Sequence, residues 1–174
     1  PSSGGVALAT MLNILAHYPL DKLTEVERHH LIIEAMRRAY RDRAAYLGDT
    51  DFVSVPLSRL TSPDYAAGLA ASIRLDRATA SSELPTATVH PGATHTTHFS
   101  VLDREGNYVS ATLSINYPFG SGFVDPGTGV LLNDEMDDFS AKPGSPNAYG
   151  LVGAEANAIE PGKRMLSSMS PTFV

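Results

Sequence analysis

The apolar pattern of this chain changes its period at one point, Thr96, and that change limits what the chain can become. Upstream, apolar residues recur at helical spacing. Val6, Ala9, Leu12 and Leu15 form one such series, opened by Ser3 as a candidate N-cap and closed by Pro19. A second helix is predicted over residues 25–46, with Leu31, Ala35, Ala39 and Tyr46 on its buried side and Arg28, Glu34, Arg37 and Arg41 on the other. Ser62-Pro63-Asp64 supplies a cap, a first-turn proline and a carboxylate at the positive end of a third helix reaching about Ile73. Downstream of Thr96 the period falls to two. Residues 97–102 alternate as a strand, Asp103 to Asn107 is a turn with Gly106 where positive φ is needed, and 108–115 return. Thr96 therefore sits at the open end of a hairpin. Val130-Leu131-Leu132 is expected to form a short buried strand, and residues 141–153, rich in Pro and Gly, are long enough for a lid.

The segment leading into the junction has a different character. Residues 78–95 are Ala, Thr, Ser and Pro with few large apolar groups, the composition of an exposed linker. A threonine following such a linker has a chemical opportunity. Its hydroxyl is a poor nucleophile without a base beside it. Cleavage of the preceding peptide bond frees an α-amine whose pKa, roughly 8, suits it to take the hydroxyl proton near neutral pH. Taken alone, Thr-Thr before a strand reads as β-propensity and a turn. Its surroundings give it another meaning.

Charge is distributed unevenly. Residues 1–95 hold nine Lys/Arg and ten Asp/Glu, whereas 96–174 hold four and nine, and four of those nine carboxylates fall between Asp134 and Asp138. Carboxylates so close repel unless a cation or donor offsets them. A solvated acidic loop, a Ca²⁺ loop and a pocket for a substrate ammonium are the three readings. The ligand spacing of an EF-hand is absent. Ser167-Ser168 offers hydroxyls and turn amides suited to a carboxylate, or forms an ordinary turn. Net charge of -6 argues against nucleic acid or an anionic membrane surface as partner. The absence of Cys excludes thiol chemistry and Cys-ligated zinc. No apolar run reaches the ~20 residues of a bilayer span. The chain opens on Pro1 and stops inside an apolar run, so both ends are expected to continue in a longer protein.

Six blocks in order carry a resemblance. They are Pro1-Ser2-Ser3-Gly4-Gly5; Tyr40-Arg41-Asp42-Arg43 with Tyr46-Leu47-Gly48-Asp49; Thr96-Thr97-His98-Phe99-Ser100; residues 131–139 (LLNDEMDDF); residues 147–151 (NAYGL); and residues 166–172 (LSSMSPT). Together they resemble γ-glutamyltranspeptidase, or glutathione hydrolase, of the N-terminal-nucleophile hydrolase superfamily. The resemblance implies an α+β fold, a four-layer αββα sandwich that this chain covers only in part. It implies one domain made of residues 1–95, the mostly helical end of a large subunit with its linker at 78–95, and residues 96–174, the strand-rich start of a small subunit. Both subunits would come from one precursor by autocleavage at His95-Thr96, in the periplasm or outside the cell.

The resemblance also assigns roles. Thr96 is the implied nucleophile. Ser114 stands where the family usually has a Thr that hydrogen-bonds the nucleophile, so the hydroxyl is kept but the methyl that restricts its rotamer is lost. Asn116, Glu135 and Asp138 match residues that hold the α-amino end of a γ-glutamyl group, Ser167 and Ser168 those that hold its α-carboxylate, and Tyr149 belongs to a lid. The family's carboxylate-binding Arg would lie before Pro1 and its Gly-Gly oxyanion hole after Val174. No cofactor or metal is implied. The implied reaction is attack on glutathione or a related γ-glutamyl amide, then resolution of the ester by water or an amino acid. A sibling amidase of the cephalosporin acylase type, and an inactive fragment or unprocessed precursor, are the alternatives. The acidic cluster argues against the acylase, because a glutaryl group has no α-amine.

Overall fold

The computed structural model describes residues 2–84, 96–147, 150 and 152–173. His95, Tyr149 and most of the expected linker lie outside the described residues. The architecture is mixed helix and strand, with helices first and strands after. Helix α1 spans Gly4–Leu15, α2 Glu25–Tyr46, the single-turn α3 Leu57–Leu60, and α4 Pro63–Ala71. Strands β1 (Thr97–Leu102) and β2 (Tyr108–Leu113) pair antiparallel, with Thr97 opposite Leu113 and Leu102 opposite Tyr108. Gly106 takes φ of +86° in the connecting turn, as expected.

Local chemistry fixes the helix ends. Thr24 and Glu27 form a reciprocal capping box: the Thr24 side chain accepts from the Glu27 amide, and the Glu27 carboxylate accepts from the Thr24 amide at 2.8 Å. Ser62 caps α4 by accepting from the Tyr65 amide, with Pro63 in the first turn. Ser3, by contrast, occupies the cap position of α1 without capping it. Its amide and its hydroxyl both donate to the Ser167 carbonyl at 2.8 Å. This joins the first residues to the last segment.

Two apolar clusters hold the helices. Ile14, Leu31, Ala35, Ala66, Leu69, Ala70 and Ile73 form the larger one between α1, α2 and α4. Leu47, Leu60 and Leu166 form the second, so the residue before Ser167 is buried against the helical layer. Gly4 enables the same approach. A Cβ there would lie 1.5 Å from Ser170 Oγ and 2.7 Å from Ser170 Cβ. Gly4→Ala gains roughly 1 kcal/mol of helix propensity, but the overlap outweighs it. We expect a net loss of about 1–3 kcal/mol, read as a lower thermal midpoint.

Other sequence expectations meet the structure differently. Glu34 is 1% exposed rather than on the solvated side of α2. It is buried because Arg37, Arg38 and Thr79 all bond its carboxylate. Tyr46 stays on the buried side as expected, packed against the second cluster with the Arg59 guanidinium over its ring. Val130–Leu132 is not a buried strand. Leu131 makes a single bridge to Val124, while Val130 and Leu132 are exposed. The pairing amounts to a short turn, closed by the Asp125 amide donating to the Val130 carbonyl and the Leu132 amide to the Phe123 carbonyl, both at 2.9 Å.

Candidate active site

The hairpin register sets the first contact. With Thr97 opposite Leu113, the residues just outside the ladder face one another, and Thr96 Oγ1 donates to Ser114 Oγ at 3.2 Å. Ser114 Oγ also accepts from the Asn116 amide at 3.0 Å, turning the chain sharply after β2. Asn116 absorbs that turn with φ of +69°, a left-handed conformation that Asn tolerates better than most residues. Its side-chain amide donates to the Asp134 carbonyl at 3.3 Å, and the Tyr117 amide donates to the Asp134 carboxylate at 3.0 Å. The acidic segment is thus docked onto the exit of β2.

Residues Glu135–Asp138 form one 3-10 turn. Buried Asn157 fastens it: Nδ2 donates to the Asp138 carbonyl at 2.7 Å and Oδ1 accepts from the Leu166 amide at 3.1 Å. Asn157 therefore spaces the acidic turn from Ser167 and Ser168. From the helical side, Arg43 donates through Nε to Ser3 Oγ at 2.9 Å. Its Nη2 donates to the Leu166 carbonyl at 3.1 Å and to Ser168 Oγ at 2.9 Å.

These supports surround a cavity of about 320 Å³. Thr96, Ser114, Asn116, Glu135, Asp138, Ser167 and Ser168 all line it, so the seven described residues of the sequence-predicted site come together. His95 and Tyr149 lie outside the described residues. Three lining residues, Arg43, Thr112 and Met169, were missed. Arg43 belonged to a recognised block, but nothing in that block joins it to residues more than 120 positions away. Asn157 had no sequence signal at all.

The electrostatics are unusual at one carboxyl. Burial pushes Asp138 up to about 7, and the hydrogen bond and charge of Glu135 push the same way, with Asp137 adding and Arg43 opposing. Asp138 is therefore partly protonated near neutral pH. Burial lowers the Arg43 guanidinium, partly offset by Tyr40 and Asp138, yet it stays a cation. A ligand ammonium beside Glu135 and Asp138 would displace the Asp138 proton. A ligand carboxylate would find hydroxyls and positive charge at Ser168 and Arg43. Among the described residues, no group of three or more His, Asp or Glu is arranged to hold a metal ion, and no helix is long and apolar enough to cross a membrane.

The chain is similar to several characterised proteins. The glutathione hydrolase proenzyme of Pseudomonas aeruginosa is 54% identical over 180 residues, covering 100% of this chain and 31% of that protein. That of Escherichia coli is 48% identical over 177 residues, covering 100% and 30%. An acylase proenzyme, ACY 1 of a Pseudomonas strain (V22), is 40% identical over 174 residues, covering 98% and 29%. Among solved structures, cephalosporin acylase from Bacillus halodurans superposes with a TM-score of 0.72 at 29% identity, covering 97% of this chain and 27% of that one. The chain thus spans about three-tenths of the length of the curated relatives it matches. The sequence profile described as gamma-glutamyltranspeptidase matches all of residues 1–174, and the chain belongs to the γ-glutamyltranspeptidase family.

Proposed function

We propose that the protein carrying this chain is a γ-glutamyl hydrolase and transferase acting on glutathione and related γ-glutamyl amides. One observation supports this above the others. A threonine hydroxyl shares a cavity with an acidic pair at Glu135 and Asp138 and a hydroxyl pair at Ser167 and Ser168. That is a nucleophile beside groups complementary to the two charges of an amino acid. In the first stage the Thr96 hydroxyl attacks the carbonyl of residue 95, and hydrolysis of the ester separates two chains. In the second, the freed α-amine takes the hydroxyl proton as the oxygen attacks the γ-amide carbon. The proton passes to the leaving amine and a γ-glutamyl ester remains on Thr96. Water or an amino acid amine then attacks that ester and restores the hydroxyl. Mass spectrometry tests the first stage: the mature protein should contain a chain beginning at Thr96.

The same reading makes residues 1–95 and 96–174 parts of one domain within a four-layer sandwich. Contacts between the two parts are numerous: Ser3 with Ser167, Arg43 with Ser168, and Asp49 with the Arg164 amide and guanidinium. Phe99, Val101, Tyr108 and Val109 of the hairpin are all at least 41% exposed, which suits strands covered by further layers.

The acylase relatives supply a second reading, with a glutaryl-type amide as substrate. Comparing a γ-glutamyl anilide with a glutaryl anilide separates the two, because only the first carries the ammonium that Glu135 and Asp138 suit. We expect the γ-glutamyl compound to be preferred by about 100-fold or more in kcat/KM; preference for the glutaryl compound would reverse the assignment.

Asp138 gives a signed pH expectation. Its carboxyl binds a proton below about 7, and a substrate ammonium competes with that proton. KM for a γ-glutamyl anilide should fall as pH rises from 6 to 8, by up to about tenfold per unit below 7. Asp138→Asn should raise KM by about 10- to 100-fold and flatten this dependence. Steady-state kinetics across that range check both.

A further inference from the structure

We propose that Arg43 is a positioning residue for the α-carboxylate end of this site, holding the Ser168 hydroxyl in place and adding positive charge beside it. This rests on the γ-glutamyl reading above. Arg43 projects from the last turn of α2, on the other side of position 96 from Ser167 and Ser168. Yet it lines the cavity with them. Two of its groups are committed. Nε is fixed on Ser3 Oγ, and Nη2 is shared between the Leu166 carbonyl and Ser168 Oγ. Ser3 in turn holds the Ser167 carbonyl twice. The guanidinium is therefore braced on the chain immediately before Ser168 and grips that hydroxyl from a fixed base. Nη1 has no acceptor among the described residues, which leaves two N–H bonds of a rigid fork uncommitted.

The choice of residue type follows from this geometry. A lysine in the same place has one nitrogen, which cannot reach Ser3, Leu166 and Ser168 at once in planar array. The charge has a second consequence. Asp138 is faced by Glu135 and Asp137 from its own turn and by Arg43 from α2, so Arg43 is the cation that opposes the accumulated negative charge. One side chain thus serves both ends of an amino acid: it attracts the carboxylate and keeps the ammonium arm from holding its proton too tightly.

The test is made in the whole protein with two anilides. One is γ-glutamyl-p-nitroanilide; the other is 4-aminobutyryl-p-nitroanilide, the same acyl group without its α-carboxylate. Arg43→Met should raise KM for the first by about 10- to 100-fold, as loss of a charged hydrogen-bonding group implies, with kcat within a few-fold. Measured at about pH 8.5, above the Asp138 titration, the kcat/KM for the second should change less than about threefold, because both substrates keep the ammonium. The fall in KM with rising pH should also move to higher pH. Arg43→Lys should give an intermediate KM on the first substrate only, and it carries the test if the Met variant does not mature into two chains. Equal losses on both substrates, or an unchanged KM for the γ-glutamyl compound in either variant, would overturn the proposal. A wild-type protein inactive on the γ-glutamyl anilide would remove the functional reading and this one with it. An active wild type whose variants lose both substrates equally removes only this one.

Discussion

Thr96→Ala is expected to leave the precursor as a single chain and to reduce amine release from a γ-glutamyl anilide by on the order of a million-fold, the scale seen when a hydroxyl nucleophile is deleted. The reason is the position of one oxygen. Thr96 Oγ1 is at the mouth of the β1–β2 hairpin, 3.2 Å from Ser114 Oγ, in the cavity that also holds Glu135, Asp138, Ser167 and Ser168. No other threonine in the cavity has an α-amine to gain by chain cleavage: Thr112 lies inside β2, with its hydroxyl 2.9 Å from His98 Nδ1. Thr96→Ser keeps the oxygen and should still cleave, more slowly, because without the methyl the hydroxyl spends less time in the attacking rotamer. Ser114→Ala should keep Thr96 chemically intact but remove the partner of its hydroxyl and of the Asn116 amide, so a smaller loss is expected there. The assignment is falsified if the Ala variant still appears as two chains or still releases amine at an appreciable rate.

What the sequence disclosed about this site, and what it hid, follows from the range of each interaction. Helix α2 was readable to its ends, Glu25 and Tyr46, because a helix is specified by neighbours three and four positions away. The hairpin was readable because its turn signal is local, although β2 stops at Leu113, two residues short of the expected end, where Ser114 leaves the ladder to bond Thr96 and Asn116. Five of the seven cavity residues lie in the family blocks and two, Ser114 and Asn116, between them, yet no spacing rule places Ser167 beside Glu135. Leu166 and Asn157 do that, through burial against the helices and a pair of hydrogen bonds from one amide side chain. Polar residues were the hardest to read. Glu34 looked like surface decoration because charge pattern along a helix says nothing about what another segment brings to it. Ser3 looked like a helix cap, yet its hydroxyl is spent on a carbonyl 164 residues away.

Glu34 is where the largest loss of stability is expected. Its side chain is 2% exposed and that of Arg38 is 1% exposed, with Arg38 Nη1 2.5 Å from its carboxylate. Arg37 donates to the same carboxylate, as do the amide and hydroxyl of Thr79. Burial would raise the Glu34 carboxyl, but the bonds from Thr79, Arg38 and Arg37 outweigh it and bring it down to about 2. A carboxyl held that low contributes stability above its ordinary value near 4.5 and loses it as pH falls toward 2, so acid should loosen this cluster early. Glu34→Ala removes the anion and leaves Arg38 a buried cation, with Arg37 close by and no countercharge. Breaking a buried pair in this way costs about 3–5 kcal/mol, and the thermal midpoint should fall by about 10 °C. Removing both charges is a different experiment. In Glu34→Leu combined with Arg38→Met no ion is stranded, so most of the stability should return. That contrast separates the electrostatic account from a simple packing defect, which would make the double variant worse than the single one. The cluster also holds Thr79 by all three of its polar groups, since Arg37 donates to its carbonyl at 2.7 Å. Thr79 is 17 residues before Thr96, so the single variant should mature more slowly as well as melt earlier. The double variant, stable but without the two bonds from Thr79 to Glu34, should recover its melting point while still maturing slowly.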